Sequence, residues 1–157
     1  MKKPNWKVLA FSFFAVYAVA FLGSVLTSSS VNSQWYNSIK PSITPPNFVF
    51  PIVWNILFFL IAISLYLSWT SAKNKNEKKS IAIVFGINLF LNFLWSVIFF
   101  GFKNSYLAFF ELIFLWLSIA AMIFTTYRIS KTASYLLIPY LVWVSFAGIL
   151  NYIIAFR

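Results

Sequence analysis

The side chains available for chemistry in this sequence are mainly aromatic rings and amides. The chain contains no His and no Cys, and its acidic residues are Glu77 and Glu111 alone. This composition excludes disulfides, thiolate metal sites, Cys or His nucleophile–base pairs and a His ligand to haem iron. Glu77 lies among lysines in a polar segment, so we do not expect it to form a working carboxylate pair with Glu111. What remains is recognition by stacking and hydrogen bonding.

One stripe of such residues lies on a predicted helix over residues 81–100. Asn88, Asn92, Trp95 and Ser96 follow one another at helical spacing, which places them on one face. An indole face beside an amide suits a planar ligand with a polar edge. Amides in lipid also hydrogen-bond between helices, and we favour this structural explanation for Asn88. For Asn92 both interpretations stay open.

A second stripe lies on the last predicted helix and consists of Tyr140, Trp143, Ala147 and Asn151. Trp and Tyr close to helix ends usually anchor a protein at the membrane interface. Trp143, and Trp54 on an earlier helix, both lie a turn or more inside their predicted helices, so interface anchoring explains them less well. We therefore predict that both indoles face a ligand site.

Glu111 is the only acidic residue inside a predicted membrane span. Ionisable groups within the membrane usually face the interior of a bundle, where they are paired or neutralised. One interpretation is a protonated carboxyl group that forms a structural hydrogen bond. The other is a functional group, and the sequence leaves both open.

The elements that must position these residues follow from the distribution of charge. The chain is 62% hydrophobic and 9% charged. Residues 8–39, 41–72, 80–102 and 132–156 lack charged side chains, and residues 104–127 carry only Glu111. Each of these five stretches can supply the roughly 20 apolar residues that cross a bilayer. We predict an all-α polytopic membrane protein, with one domain over residues 1–157 and five transmembrane helices at about 6–26, 48–69, 81–100, 106–126 and 134–156. Pro139 is predicted to kink the fifth helix.

The connection over residues 27–46 is the longest in the chain, and prolines are concentrated at its end and just beyond it. Pro41, Pro45, Pro46 and Pro51 fall within eleven residues, so we predict no regular helix in the first half of residues 35–54. Long connections in compact folds tend to be lids or binding loops. We interpret residues 27–46 as a loop that covers a ligand site.

Basic residues predict the orientation in the membrane. Nine Lys and Arg residues, including Lys2 and Lys3, fall on one side of the five helices and three on the other. The positive-inside rule then places the N-terminus in the cytoplasm, and the first loop and the C-terminus outside. The net charge of +10 is explained by these helix ends, so it does not indicate nucleic-acid binding. The first apolar segment is too long for a cleaved signal peptide.

Three blocks of the sequence, in order along nearly the whole chain, resemble the TspO/MBR family, which includes the translocator proteins or peripheral-type benzodiazepine receptors of animals. The first block is Trp35-Tyr36, Lys40-Pro41, Pro45-Pro46, Val49, Trp54 and Leu57. The second is Asn92, Trp95 and Phe99-Phe100-Gly101. The third runs from Tyr135 to Trp143 and continues with Phe146-Ala147 and Leu150-Asn151-Tyr152.

The resemblance implies a five-helix bundle, often a homodimer, with a pocket beneath the first loop. The pocket of the family takes porphyrins, haem-like tetrapyrroles and synthetic benzodiazepine-type ligands, and animal members are linked to cholesterol. Residues that would bind ligand are Trp35, Tyr36, Pro45, Trp54, Asn92, Trp95, Tyr140, Trp143 and Ala147. Bacterial members are linked to tetrapyrrole regulation, and light-dependent porphyrin breakdown has been proposed for some. We expect a protein of a bacterial cell membrane.

Three functions are compatible with these features. The first is a membrane receptor or regulator that binds a tetrapyrrole, with no obligatory cofactor and no metal site, and in which Lys40 could meet a ligand carboxylate. The second is a light-dependent porphyrin-degrading enzyme, with Trp35 and Trp143 as redox partners of the ligand. The third is a carrier of tetrapyrrole, lipid or sterol, against which the sequence shows no inverted repeat. Residues 150–157 fit the loose pattern proposed for cholesterol contact, which chance also satisfies easily.

Overall fold

The computed structural model describes residues 4–157, and every regular element in that range is a helix. Lys2 and Lys3, which contribute to the orientation prediction, lie outside the described residues. The helices are α1 (Trp6–Ser30), α2 (Gln34–Ile39), α3 (Val49–Ser71), α4 (Lys75–Ser96), α5 (Ser105–Tyr127), α6 (Lys131–Tyr135) and α7 (Ile138–Ala155), and a π-turn at Val97–Gly101 extends α4.

Within residues 4–157, five stretches of helix are long and apolar enough to cross a membrane. They are α1, α3, α4 with its π-turn, α5, and the segment Lys131–Ala155 that contains α6 and α7. The prediction of an all-α bundle with five membrane spans is therefore confirmed. α1 packs on α3 and α4, α4 packs on α5, and α5 packs on α7.

The third span begins earlier than predicted because its first turn is capped. The Asn74 side-chain oxygen accepts a hydrogen bond from the Glu77 backbone N–H at 2.9 Å. The Glu77 carboxylate in turn accepts one from the Lys73 backbone N–H at 2.6 Å. This arrangement resembles a capping box, with the Glu77 side chain bonded to the residue before the N-cap, and it satisfies donors at the helix start. The polar, Lys-rich residues from Lys75 to Lys79, which precede the predicted span, therefore belong to the start of α4.

The fifth span is interrupted instead of kinked. α6 ends at Tyr135, and α7 begins at Ile138 with Pro139 in its first turn. A proline in that position loses no intrahelical hydrogen bond, because the first backbone N–H groups of a helix have no partner within it. The prediction of one helix over residues 134–156 is wrong in this respect.

The first loop contains more helix than predicted. α1 continues to Ser30, and the short helix α2 follows after Ser33, whose hydroxyl accepts a hydrogen bond from the Tyr36 backbone N–H at 3.2 Å. The prolines of this stretch begin only at Pro41, beyond the end of α2 at Ile39. The prediction that prolines exclude helix from the whole first half of residues 35–54 is therefore wrong.

The tightest packing lies in the half of the bundle that is remote from α2. Side chains there are fully or almost fully buried, among them Ile61, Ile81, Phe85, Ile119, Met122 and Leu137. Two hydroxyl groups join separate helices in the same half: Ser64 donates to the Ala133 carbonyl at 2.8 Å, and Ser134 donates to the Ile123 carbonyl at 3.0 Å.

Candidate functional site

The other half of the bundle contains a cavity of about 600 Å³ beneath the first loop. Residues of all five membrane spans and of α2 line it. A volume of this size lies within the range of pockets that hold small ligands. The predicted location of the site, under residues 27–46, therefore coincides with this cavity.

Six of the nine predicted ligand-binding residues line this cavity: Tyr36, Trp54, Asn92, Trp95, Trp143 and Ala147. Trp35, Pro45 and Tyr140 are absent from its lining. Pro45 is half-buried in the segment that joins α2 to α3. The stripes on α4 and α7 thus both contribute to the lining of one space.

Trp35 and Tyr140 lie directly behind lining residues. The Trp35 ring packs edge-on against Phe99, with 5.7 Å between ring centroids, and the Lys103 ammonium lies 6.0 Å from the Trp35 ring. Tyr140 is 1% exposed, and its hydroxyl accepts a hydrogen bond from the Asn92 amide at 2.9 Å. Both residues support the wall of the cavity without facing it.

The wall formed by Trp95 is fixed by hydrogen bonds. The Trp95 indole N–H donates to the side-chain oxygen of Asn151 at 3.1 Å. The Asn151 amide in turn donates to the Ser105 carbonyl at 2.8 Å, at the start of α5. Trp95 also stacks on Phe99 with ring centroids 4.9 Å apart and planes inclined by 15°. Phe99 belongs to the π-turn, an element that often occurs at functional sites.

Trp54 and Trp143 also line the cavity, and each packs against another aromatic ring. Trp54 stacks on Phe58 at 5.2 Å, and Trp143 meets Phe50 edge-on at 5.8 Å. The Trp143 indole nitrogen is buried and has no hydrogen-bond partner among residues 4–157. A buried donor without a partner costs about 1–3 kcal/mol. The Trp143 ring is thus less firmly oriented than the Trp95 ring.

The roof of the cavity is formed by the first loop. Tyr36 is buried, and its ring packs against Phe99 and Phe100 at 6.3 and 5.8 Å. Burial raises the pKa of the Tyr36 phenol, which therefore stays neutral at physiological pH. The Asn47 amide donates to the Asn32 side-chain oxygen at 2.9 Å and so joins the two ends of the loop.

Residues of α1 form a part of the lining that the sequence analysis missed. They are Tyr17, Val19, Ala20, Phe21, Gly23, Ser24, Thr27 and Ser28. Small residues on one helix face are the usual sign of close helix packing in membranes, so the same pattern has two explanations. Asn151 stood on a predicted stripe but was not among the predicted ligand-binding residues; it lines the cavity and also holds Trp95 by a hydrogen bond.

No charged side chain lines the cavity within residues 4–157, and Lys40 lies outside the lining. Glu111 is 6% exposed and lies inside the bundle without lining the cavity. Neither of its carboxyl oxygens has a hydrogen-bond partner among the described residues. The arrangement provides aromatic surfaces and neutral polar groups, which suit binding and positioning more than proton transfer.

The sequence is similar to known proteins over almost its whole length. A model of the TspO/MBR family matches residues 11–157. The chain is 41% identical to the tryptophan-rich protein TspO of Archaeoglobus fulgidus, over 93% of this chain and 94% of that protein. It is 29% identical to a tryptophan-rich sensory protein of Cereibacter sphaeroides, over 94% and 89% of the two chains. It is 33% identical to the human translocator protein, over 83% and 80%.

Proposed function

The chain belongs to the TspO/MBR family, and from this premise we propose that it is an integral membrane receptor or regulator that binds a tetrapyrrole in the cavity beneath the first loop. The observation that carries the proposal is the partly open cavity of about 600 Å³, with the indoles of Trp54, Trp95 and Trp143 in its walls. A porphyrin is a flat aromatic disc, and aromatic side chains hold such a disc by offset stacking and by edge contacts.

The lining supports a binding role over transport. Trp95 is held by a chain of two hydrogen bonds to α5, so one face of the cavity is already oriented before a ligand enters. Preorganised groups lower the cost of binding. The Cereibacter sphaeroides relative is named a tryptophan-rich sensory protein. That description agrees with a receptor in which ligand occupancy is the signal.

The proposal is tested by titrating protoporphyrin into the purified protein in lipid nanodiscs, in the dark and under illumination. We expect saturable binding with one site per chain, seen as a shift of the porphyrin absorption band and as quenching of Trp fluorescence. A synthetic benzodiazepine-type ligand is expected to compete for the same site. Absorption changes that stay linear with added porphyrin, as for partition into lipid, would refute the proposed function.

A second candidate function is light-dependent breakdown of the bound porphyrin. The chain has no His, Cys or carboxylate pair, so the light-absorbing ligand and oxygen must supply the reactivity, and the protein would position the ring. The lining position of Trp143 favours this indole as the redox partner, whereas Trp35 lies behind Phe99. We expect Trp143→Phe to slow any breakdown more than it weakens binding, and Trp35→Phe to have the smaller effect.

The measurement is porphyrin absorbance over time in light, with oxygen present or removed. Trp69→Phe, at the end of the bundle remote from α2, is the matched control. An unchanged porphyrin spectrum in light would eliminate the enzymatic function. Breakdown at the same rate in the dark would show that the protein holds a catalytic group of its own.

We also propose that the loop end of the bundle faces the outside of the cell. Within residues 4–157, one group of basic residues lies at the end of the bundle remote from α2: Lys7, the lysines at and just before the start of α4, and Arg128 and Lys131 just before and at the start of α6. Lys40, Lys103 and Arg157 lie at the end near the first loop. A cysteine introduced at Ser30 should react with an impermeant thiol reagent in intact cells. A cysteine at Asn76 should not, and the reverse pattern would overturn the orientation.

A further inference from the structure

The lining of the cavity is polar in places but carries no charge. Its polar side chains are hydroxyls, amides, phenols and indoles, among them Ser24, Thr27, Asn32, Asn47, Asn55, Asn92, Ser96 and Asn151. Two basic residues of the loop end, Lys40 and Lys103, lie outside the lining. A carboxylate inside this cavity would therefore have no cation to pair with.

Most hydrogen-bond donors in the lining are already committed within the protein. The Asn92 amide donates to Tyr140, and the Asn151 amide donates to the Ser105 carbonyl. The hydroxyls of Ser24 and Thr27 donate to carbonyls of α1 at 2.8 and 3.0 Å. The Trp143 indole N–H has no partner among residues 4–157, but it is a single uncharged donor. A ligand carboxylate needs several donors, and recruiting the committed groups would break bonds that hold the walls.

The cost of burying an unpaired carboxylate is large compared with what such a site can return. Moving one ion from water into a protein interior costs several kcal/mol even after relaxation, unless a partner charge or a set of hydrogen bonds compensates. Stacking of a ring on an indole returns only about 0.5–1.5 kcal/mol beyond its buried area. The uncharged ring of a porphyrin is therefore suited to the cavity, whereas its carboxylates are more stable outside it.

We propose that the cavity takes only the uncharged ring of its ligand, so that the carboxylates of a bound tetrapyrrole stay outside it. This inference rests on the proposed function and specifies its ligand class. The ligand is a planar ring system that is uncharged or carries its charges along one edge. Protoporphyrin meets this condition, because its two carboxylates are on adjacent pyrroles. Coproporphyrin does not, because each of its four pyrroles carries a carboxylate.

The test compares three probes, namely protoporphyrin, its dimethyl ester and coproporphyrin, in nanodiscs of zwitterionic lipid. Binding in the cavity is defined as the component that Ala147→Phe removes, because Ala147 lines the cavity and a Phe ring would occupy it. The matched control is Ala82→Phe, at an exposed position on α4, which should leave that component intact. This definition separates cavity binding from partition of the ester into lipid.

We expect the dimethyl ester to bind within fivefold of protoporphyrin and coproporphyrin to bind at least fivefold more weakly. Lys40→Gln and Lys103→Gln should each change protoporphyrin affinity less than fivefold, because ion pairs in water contribute little. An ester more than fivefold weaker than the free acid, or coproporphyrin within fivefold of protoporphyrin, would overturn the inference while the proposed function stands. If no probe shows a component sensitive to Ala147→Phe, the proposed function fails, and this inference fails with it.

Discussion

The two halves of this bundle use the same kinds of residue for different purposes. In the half remote from α2, apolar side chains such as Ile119 and Met122 are 0% exposed. In the loop half the five spans separate around a cavity of about 600 Å³. Close packing gives a membrane protein much of its stability, because lipid provides no hydrophobic force between helices. We infer that the remote half stabilises the fold and leaves the loop half free to hold a ligand.

Polar groups show the same division. In the remote half, hydroxyls such as Ser64 bond to a backbone carbonyl of another helix, at 2.8 Å for the Ala133 carbonyl. In the loop half, amides bond to aromatic side chains, as Asn92 does to Tyr140 and Asn151 to Trp95. Both kinds of bond join helices, and the second kind also fixes aromatic rings around a space. Substitutions should therefore change stability in one half and binding in the other.

The largest effect is expected from a cavity created in the remote half. Ile119→Ala removes a fully buried side chain, and such changes cost about 2–5 kcal/mol of unfolding free energy. Porphyrin affinity should change less than twofold, because residue 119 is not part of the lining. Unfolding in mixed micelles and a porphyrin titration measure the two quantities. A tenfold loss of affinity would show that the halves are not independent.

Truncation of lining residues should have the opposite effect, with a larger change in porphyrin affinity than in stability. Trp143→Ala and Asn92→Ala are each expected to weaken porphyrin binding by at least about 1 kcal/mol, the scale of one lost stack or hydrogen bond. The matched control is Asn88→Ala, because Asn88 is buried outside the lining and bonds to Ser118 at 2.8 Å. It should lower stability and leave affinity unchanged. Affinity at the wild-type level in both lining variants would contradict the site assignment.

A smaller effect is expected from releasing the Trp95 ring. Asn151→Ala removes the acceptor of the Trp95 indole N–H, and one hydrogen bond contributes about 0.5–1.5 kcal/mol. If Asn151 acts through Trp95, the same substitution should cost less affinity in a Trp95→Phe background, which has no indole N–H. A double-mutant cycle on porphyrin binding measures this coupling. Equal losses in both backgrounds would mean that Asn151 acts independently of the indole.

The smallest effect is expected at Glu111, which lies inside the bundle and outside the lining. Glu111→Gln keeps the shape of a protonated carboxyl group and removes its ability to ionise. We expect porphyrin affinity to change less than twofold, because Glu111 is not part of the lining, and stability to change by less than about 1 kcal/mol, because one uncharged buried polar group replaces another of the same shape. If this substitution abolished binding, a proton-linked function of Glu111 would replace the structural interpretation.

The sequence predicted the spans well because charged residues are absent from membrane interiors. It predicted the boundaries less well, because they depend on local bonds such as the Asn74 cap that extends α4 over a Lys-rich segment. Converging stripes predicted that Asn92 and Trp143 lie at one site. Periodicity could not separate a lining residue from one directly behind it, as with Tyr140. The contribution of α1 was missed because small residues also serve helix packing.

The central claim is that the cavity of the loop half binds a planar tetrapyrrole, and a titration of protoporphyrin into three proteins tests it most directly. They are the wild type, Ala147→Phe, which fills the cavity, and Ala82→Phe, which adds the same ring at an exposed position of α4. We predict one saturable site per chain in the wild type and in Ala82→Phe, and at least tenfold weaker binding in Ala147→Phe, a loss of about 1.4 kcal/mol or more. Equal binding by all three proteins would contradict the claim.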